Sequence, residues 1–350
     1  MRVLYFGTYE RRYPRNAQVI SCLRHAGVEV VERHVSVWEG REHKFAAGAG
    51  AVVRLAAAEL RLFRRRAIAF DVLVVGYPGH FDLPAARRAA NGRPLVFNPL
   101  VSLADTLVAD RGRFRHDSAA ARILERVDRA AFRAADLVVA DTEAHADLFR
   151  SLGARRVEVC FVGAEERLFG PGWTGGEHFV ALFVGKLIPL HGLETILEAA
   201  RLAPDVPFRI VGTGQLDALL ATRPDNVEWT RWVEYGRLPG ELHACGCALG
   251  IFGTSAKASR VIPNKVFQAL ACGTPVVTAD TPAVRELLDE RSAVLVPPGD
   301  AAALAEAVTA LAADRERASR TAAAGLDAYR RSASEEILGA RWRGLLESLL

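Results

Sequence analysis

Short apolar runs alternate with longer segments of helical periodicity along the whole chain. The runs consist mainly of Val, Ile, Leu and Phe and are bounded by turn residues, as is typical of buried strands. The segments between them are rich in Ala, Arg, Glu and Leu and repeat their apolar positions every three or four residues, as helices do. This alternation predicts strand and helix units around parallel sheets.

The apolar runs fall into two sets, each of which supplies the strands of one sheet. The first set predicts strands at 3–6, 28–31, 72–75, 95–97, 137–140 and 157–161, with helices at 16–25, 85–90, 119–134 and 143–152. The second predicts strands at 179–184, 208–211, 227–229, 248–252, 275–278 and 293–296, with helices at 193–202, 266–272, 301–312 and 315–329. We therefore expect an α/β protein with two Rossmann-like, doubly wound domains.

A Gly- and Pro-rich stretch at 170–176 separates the two sets and favours an exposed connection. We predict an N-terminal domain at 1–165, a linker at 166–178, a C-terminal domain at 179–332, and a C-terminal helix at 333–350 that packs back on the N-terminal domain. Doubly wound domains bind ligands beyond the carboxyl ends of their strands, so we expect a cleft between the two sets of strand ends.

Composition narrows the class of protein further. Half of the 350 residues are hydrophobic and a quarter are charged, which excludes a disordered or fibrous chain. The net charge of +4 gives no argument for a nucleic-acid partner. The five cysteines lack the spacing of a zinc site and suit a reducing compartment. With neither a signal-peptide pattern nor a long apolar span, we expect a cytoplasmic protein.

Two strands of the second set end in glycine turns that suit phosphate. Gly185 and Lys186 follow the first strand, and His191 precedes the next helix, so a cation and helix amides face one edge. Gly212 and Gly214 follow the second strand and permit close backbone approach to an anion. Taken alone, Lys186 and His191 fit a solvated loop residue and a helix-start residue better than an anion site. The turn at Gly212 and Gly214 fits an ordinary strand-to-helix turn and an anion site equally well.

The segment at 249–277 carries the strongest chemical pattern. A strand enters a glycine turn at Gly253, a polar loop follows, and a helix begins after Pro263. Asn264 and Gln268 lie one helical turn apart and can share a face. The cations of the loop and the helix start are Lys257, Arg260 and Lys265.

These motifs together resemble the donor-binding half of the family 4 glycosyltransferases, which have the two-domain GT-B fold. The likeness covers nearly the whole chain and is most specific in Pro263-Asn264-Lys265 and in the string from Ala269 to Val277, Ala-Leu-Ala-Cys-Gly-Thr-Pro-Val-Val. It implies a nucleoside-diphosphate sugar as donor, with the glycine turns and cations around the diphosphate and the helix at 266 beside the ribose. It also implies transfer with retention at the anomeric carbon.

The chain departs from that family at two donor positions. The family's two glutamates, eight residues apart, correspond to Arg260 and Gln268. Gln268 can still bind ribose hydroxyls, whereas an arginine favours phosphate or a carboxylate. The family's usual Arg and Lys for phosphate correspond to Lys186 and His191. We interpret the chain as a branch in which the Pro-Asn-Lys loop replaces the two-glutamate motif.

In the first domain, the loops after the first and fourth strands are expected to face the cleft and hold the acceptor. Gly7 ends the first strand, and Asn98 occupies the place where related enzymes often have a histidine. Asp105 lies further along that second loop and fits either a substrate contact or a helix cap. Asn98 and Asp105 are the candidate catalytic residues, with no assigned general base.

No Asp-x-Asp motif occurs, so we expect neither a metal nor another cofactor. The charge of the departing diphosphate would then be met by helix dipoles and by Lys186, Lys265 and Arg260. The acceptor is a saccharide, a lipid-linked intermediate or a small natural product. A catalytically silent subunit and a nucleotide-sugar epimerase of the same architecture stay open as alternatives.

A helical segment at 51–70 combines apolar residues with several arginines. Such a helix can lie on an anionic membrane as a peripheral contact, or it can be a solvated surface helix. Its arginines are Arg54, Arg61, Arg64, Arg65 and Arg66. The sequence leaves the oligomeric state open.

Overall fold

The computed structural model describes residues 1–37, 49–64, 68–175 and 178–350. The chain divides into two compact units. The first comprises Met1–Val162 together with Glu335–Leu350, and the second comprises Gly163–Ser334.

Among the described residues, the first unit has a sheet of six parallel strands in the order β2-β1-β3-β4-β5-β6. The strands are β1 (Arg2–Gly7), β2 (Glu29–His34), β3 (Val72–Val75), β4 (Leu95–Phe97), β5 (Leu137–Ala140) and β6 (Val157–Val159). The helices are α1 (Pro14–His25), α2 (Ala49–Phe63), α3 (Leu83–Ala90), α4 (Ala119–Ala134), α5 (Glu143–Ser151) and a π-helical segment, Asp105–Asp110.

The inner strands of this sheet, β1, β3, β4 and β5, are buried on both faces, which explains why they are almost continuous apolar runs. In β1, Leu4 and Phe6 pack into the core on one face, whereas Val3 and Tyr5 pack into the core on the other. Successive side chains of a strand point to opposite faces, so a run without polar positions is needed when both faces are covered.

The last helix of the chain, α12 (Glu335–Glu347), belongs to the first unit and packs along α1. Leu338, Trp342 and Leu346 enter the core that also contains the α1 residue Leu23. A Cβ at Gly339 would lie 2.6 Å from the carbonyl oxygen of Cys22. Glycine therefore allows the two helices to approach closely at this crossing.

In the described part of the second unit, another six parallel strands run in the order β12-β11-β10-β7-β8-β9. They are β7 (Ala181–Val184), β8 (Phe208–Val211), β9 (Val227–Thr230), β10 (Cys247–Leu249), β11 (Val276–Ala279) and β12 (Val294–Val296). The helices are α6 (Leu193–Leu202), α7 (Leu238–Ala244), α8 (Asn264–Ala271), α9 (Pro282–Arg285), α10 (Ala301–Ala313) and α11 (Arg315–Ser332). The predicted α/β class with two Rossmann-like domains is confirmed.

The stretch expected to be a linker packs against the second unit in its described part, residues 166–175. Phe169 is fully buried, and the Trp173 indole N–H donates to the carbonyl oxygen of Cys245 at 2.8 Å. The Gly172 amide donates to the carbonyl of Cys272 at 3.2 Å. The linker predicted at 166–178 is thus exposed at several described positions while two aromatic side chains anchor its backbone, and its bounds stay a prediction.

The helix expected at 51–70 is shorter than predicted. It ends at Phe63, and Ile68, Ala69 and Phe70 are not helical. Arg65 and Arg66 lie outside the described residues. No helix among the described residues is long and apolar enough to cross a bilayer.

Candidate functional site

In the sheet of the second unit, β7 and β10 are neighbours, and the direction of the strand order reverses between them. This is the topological switch point of the sheet, where α6 follows β7 and α8 follows β10. Ligands of doubly wound domains bind beyond the carboxyl ends of the strands at such a point. The turns that begin at Gly185 and Gly250 leave the sheet there, and the Gly212 turn follows the adjacent β8. The predicted donor residues are concentrated on these segments.

The first two glycine turns interlock through their backbones. Gly185 has φ +154° and Gly212 has φ +142°, values that L side chains rarely adopt. A Cβ at Gly212 would overlap the carbonyl oxygen of Gly185, and a Cβ at Gly214 would overlap that of Leu187. The Leu187 amide donates to the carbonyl of Thr213 at 3.1 Å. These glycines are required because the two turns share one layer at the edge of the sheet.

The third turn docks on the segment that leads into α6. The Phe252 amide donates to the carbonyl of His191 at 3.1 Å. A Cβ at Gly192 would lie 2.6 Å from the carbonyl carbon of Phe252, and a Cβ at Gly253 would lie 2.5 Å from the carbonyl oxygen of Leu190. The turn after β10 is thus held against the start of α6 without space for side chains.

His191 and Lys186 belong to the same turn. Lys186 is exposed, whereas His191 is only 8% exposed. The His191 Nδ1 atom pairs with the carbonyl oxygen of Lys186, so Nδ1 carries a proton and donates it to this acceptor. Its imidazole packs edge-on against Phe183, with ring centroids 5.5 Å apart. The structure therefore brings Gly185, Lys186 and His191 together.

Lys265 reaches this turn from α8. Its Nζ atom lies 3.6 Å from the centroid of the Phe183 ring. A Cβ at Gly185 would lie 2.7 Å from that Nζ. Burial lowers the pKa of the Lys265 ammonium well below its usual value. Position 185 therefore requires glycine not only because of its φ value but also because a side chain there would clash with Lys265.

Two helices begin at the site without a side-chain cap. The N-cap residue of α6 is Gly192, that of α8 is Pro263, and neither provides a capping hydrogen bond. By contrast, Asp300 caps α10 by accepting from the Ala303 amide at 2.9 Å, and Asp314 caps α11 in the same way. Uncapped helix starts leave amide groups available to an anion.

Gln268 is joined to a residue pair that the sequence reasoning missed. Its Nε2 atom donates to the Tyr235 hydroxyl at 3.1 Å, and that hydroxyl donates to Glu165 Oε1 at 3.1 Å. Burial and the neighbouring Glu165 raise the pKa of Tyr235, so it stays protonated. The only sequence signal for these two residues was position, because both lie in loops that follow strands.

The remaining predicted donor residues lie between β10 and α8 or at its start. Lys257 is buried and Arg260 is half-buried, at the two ends of a short 3-10 turn. Asn264 is the first residue of α8 and is half-buried. Their part in donor binding stays a prediction.

In the first unit, Gly7 lies against the buried carboxylate of Asp82. Its φ is +131°, and a Cβ there would overlap the Asp82 carboxylate. Asp82 accepts hydrogen bonds from the Thr8 amide at 2.8 Å and the Thr8 hydroxyl at 2.9 Å. Burial, together with the hydrogen bond to Asp82 and its charge, raises the pKa of Glu59 to about 10. Gly7 therefore makes space for a carboxylate of its own unit.

Asn98, predicted to be catalytic, follows β4 and is fully buried. Its side-chain oxygen accepts from Arg15 Nε at 3.0 Å. Arg15 also donates to the carbonyl oxygens of Cys160 and Phe161, at 3.2 and 3.0 Å. An amide does not titrate at physiological pH, so any part for Asn98 is hydrogen bonding rather than general base catalysis.

Asp105, the second candidate, begins the π-helical segment and is half-buried. Its amide donates to the Ser102 hydroxyl at 3.1 Å, and that hydroxyl donates to Asp128 at 2.6 Å. Asp128 also accepts from the Leu103 and Ala104 amides, each at 2.9 Å. Asp128, a buried acid of α4 that the sequence pattern did not reveal, therefore holds the backbone immediately before this segment.

Comparison with known protein families agrees with this architecture. Residues 1–164 match the model of the glycosyl transferase 4-like domain, and residues 178–314 match that of the glycosyl transferases group 1. The first match spans the sheet of the first unit, and the second spans that of the second unit. Each unit thus matches a glycosyltransferase domain model, and together the two matches cover most of the chain.

Individual relatives are distant. A phosphatidyl-myo-inositol mannosyltransferase of Mycobacterium leprae is 33% identical over 161 residues, which cover 43% of this chain and 41% of that protein. The chain thus aligns with less than half of that relative's length. Sucrose-phosphate synthase from Thermosynechococcus elongatus has the same fold, with a TM-score of 0.77 at 16% identity over 99% of this chain and 98% of the other. Anabaena HepE, solved with UDP-glucose, gives a TM-score of 0.72 at 17% identity over both full chains.

Proposed function

We propose that the protein transfers a sugar from a nucleoside-diphosphate sugar, bound by the second unit, to an acceptor bound by the first. The observation that carries this proposal is the arrangement at the switch point of the second sheet. Interlocked glycine turns, two uncapped helix starts, the residue Lys186 and the side chain of Lys265 lie there. Backbone amides and cations in this arrangement suit a diphosphate.

The chemistry asked of the site is stabilisation of charge. As the bond between the anomeric carbon and the diphosphate breaks, negative charge grows on the leaving oxygen, and preorganised donors lower that barrier. Lys186, Lys265 and Arg260 are the proposed cations, with no metal ion included. Gln268 is proposed to bind ribose hydroxyls, in place of the second glutamate of the family.

We include retention at the anomeric carbon in the proposal. In this scheme the acceptor oxygen attacks from the face that the diphosphate leaves, and a departing phosphate oxygen takes the acceptor proton. The acceptor oxygen forms the new bond to the anomeric carbon, and the nucleoside diphosphate departs with that proton. No side chain is needed as general base, which fits an amide at Asn98.

For the acceptor, the exposed face of α2 favours a lipid-linked molecule. Val52, Val53 and Leu60 are each more than 60% exposed on that helix, and Arg54 and Arg61 are exposed beside them. Apolar and cationic side chains on one helix favour an anionic membrane surface. A relative is named a phosphatidyl-myo-inositol mannosyltransferase, which points to the same class of acceptor.

The proposal is tested by measuring binding of UDP, GDP, dTDP and ADP, and of their sugars, to the full chain by calorimetry. Release of nucleoside diphosphate that depends on an added lipid or saccharide acceptor would then establish transfer, and proton NMR of the product would give its anomeric configuration. Reactions run with EDTA test the absence of a metal. Lys186→Met should weaken binding, whereas Arg201→Met, on the exposed face of α6, should not.

Three outcomes would overturn parts of this proposal. Nucleotide binding without turnover would indicate an auxiliary subunit, which the absence of a carboxylate at Arg260 and Gln268 favours. Conversion of the donor sugar without an acceptor would indicate an epimerase. Equal recovery of the protein with anionic and with neutral vesicles would remove the membrane contact.

A further inference from the structure

Lys265 occupies an unusual position for a lysine. It is the second residue of α8, and its side chain passes beneath the Gly185 turn to the face of the Phe183 ring. Its Nζ atom is inaccessible to solvent and makes no hydrogen bond with any of the described residues. A buried ammonium ion without acceptors has a large desolvation penalty, which an aromatic ring offsets only in part.

Nothing anionic among the described residues surrounds this side chain. The titratable groups on the segments that meet it are Lys186 in the Gly185 turn and His191 in the short helix that follows. Neither an amine nor an imidazole side chain carries a negative charge. The apolar ring of Phe183 closes the side facing β7. Burial is the cause of the lowered pKa of Lys265, with no neighbouring carboxylate to oppose it.

Lysine is rare in this chain, so its presence at position 265 is informative. Only four of its 45 basic residues are lysine, and Lys186, Lys257 and Lys265 are three of them. A guanidinium stays protonated when it is buried, whereas a lysine amine can lose its proton. In a chain that otherwise uses arginine, position 265 therefore holds the basic residue that can exist in a neutral form.

We propose that Lys265 is neutral in the empty site and takes up a proton from solution when the donor diphosphate binds. The step converts an amine to an ammonium ion and adds one proton, with no other bond made or broken. The diphosphate provides the acceptor oxygens and the negative charge that the empty pocket lacks. This inference rests on the proposed nucleotide-sugar function and adds that donor binding is coupled to proton uptake.

The coupling has opposite consequences for binding and for stability. Because binding consumes a proton, nucleotide affinity falls as the pH rises above the pKa of the empty-site amine. In the unfolded chain Lys265 holds its proton up to its ordinary pKa, so between the two values the unfolded state binds more protons. The free energy of unfolding of the empty protein therefore rises with pH in that window.

The test is calorimetric titration of UDP or GDP, whichever binds, into the full chain at about pH 8, where phosphate groups are fully ionised. Runs in HEPES and in Tris, which differ in ionisation enthalpy, yield the number of protons taken up. Wild type is expected to take up roughly one proton per nucleotide. Inorganic pyrophosphate serves as a probe that lacks a base.

Three variants identify the group that takes up the proton. Lys265→Met should remove the uptake, weaken binding by at least about tenfold, and raise the Tm of the empty protein, a combination that loss of packing would not produce. Lys186→Met should weaken binding but keep the uptake, because that side chain is exposed and has no desolvation penalty like that of Lys265. His191→Gln should likewise keep it.

Uptake that persists in Lys265→Met, or disappears in His191→Gln, would overturn the assignment to Lys265. Tight nucleotide binding with no proton uptake by wild type would overturn the coupling while leaving the proposed function intact. Failure of every nucleotide and of pyrophosphate to bind would overturn both.

Discussion

At the level of single residues, backbone conformation and close approach dictate several identities at the candidate site. Gly212 has a φ value that disfavours side chains, and the space where a Cβ would go is filled by the carbonyl of Gly185. A carbonyl oxygen in a strand-end turn cannot move aside as a flexible side chain can. Any other residue at position 212 would have both an unfavourable φ value and a steric overlap with this carbonyl group.

Gly212→Ala is therefore expected to destabilise the protein by at least about 2 kcal/mol and to lower its Tm by roughly 5 °C. Gly240→Ala is the matched control, because Gly240 is exposed in α7 with open space where a Cβ would go. That change should leave the Tm unchanged or raise it slightly, since Ala favours helices more than Gly does. Thermal denaturation of the two variants measures these Tm changes. A similar decrease in Tm in both variants would contradict the steric explanation.

Glu59 gives a pH dependence at the same scale. Its pKa is raised to about 10 in the folded protein by burial and Asp82, against 4.5 in an unperturbed chain. Between these values the folded state holds a proton that the unfolded state releases, so the free energy of unfolding falls as the pH rises through this window. Glu59→Gln should match wild type near pH 4 and gain a few degrees in Tm near pH 8.

Thermal melts across that pH range measure the difference. Glu198→Gln is the control, since Glu198 is an exposed residue that pairs with Arg201 and such pairs contribute little. A constant Tm difference between Glu59→Gln and wild type at every pH would show that Glu59 does not hold the proton.

At the level of elements, α8 is tied to the segment after β9 and to the segment after β6 through one hydroxyl group. Tyr235 accepts from Gln268 and donates to Glu165, so three separate parts of the second unit meet in one hydrogen-bonded chain. Glu165 and Gln268 are each less than 9% exposed, so neither finds a replacement partner in water. These hydrogen bonds fix the conformation of the Gln268 side chain, which we propose to bind a ribose.

Tyr235→Phe is expected to cost about 1–3 kcal/mol of stability, because it leaves a buried amide and a buried carboxylate short of a partner. It should also weaken nucleotide binding several-fold, since Gln268 loses its anchor. Tyr329→Phe removes a hydroxyl that donates to Glu166 at 3.0 Å in the same unit. We expect that control to lose stability without a change in nucleotide Kd, and an equal loss of affinity in both variants would contradict a positioning role.

At the level of the whole molecule, the first unit is assembled from both ends of the chain. The core beneath α1 is completed by α12, and Trp342 is only 1% exposed within it. The guanidinium of Arg15, which also holds Asn98, lies 5.9 Å from the centroid of the Trp342 ring. Through Trp342, α12 therefore contacts the arginine that is hydrogen-bonded to the candidate catalytic residue Asn98.

Trp342→Ala is expected to destabilise the first unit by about 3–5 kcal/mol, because it leaves a large cavity in a closed core. Trp232→Ala is the control, since Trp232 is 74% exposed. Pulse proteolysis with mass spectrometry should show cleavage first within the first unit for Trp342→Ala, and no change for Trp232→Ala. Early cleavage within 163–334 in the Trp342 variant would contradict this assignment of the helix.

The sequence by itself determined the strands, the α/β class and the position of the glycine turns. Those features depend on neighbouring residues, because periodicity sets which faces are buried and a turn with positive φ favours glycine. The Pro-Asn-Lys string and the turns at Gly185 and Gly212 were recognisable for the same reason. Local chemistry was sufficient to predict the edge of the sheet at which a ligand is proposed to bind.

Only the tertiary structure decided which side chains share a partner. Glu165 and Gln268 are about a hundred positions apart along the chain, and Arg15 of α1 meets Asn98, which follows β4. Lys265 is an ordinary helix-start cation in the sequence and becomes a buried, unpaired amine only because Gly185 and Phe183 lie above and beside it. Such pairings depend on how distant segments pack, and no local pattern encodes the distance between two side chains.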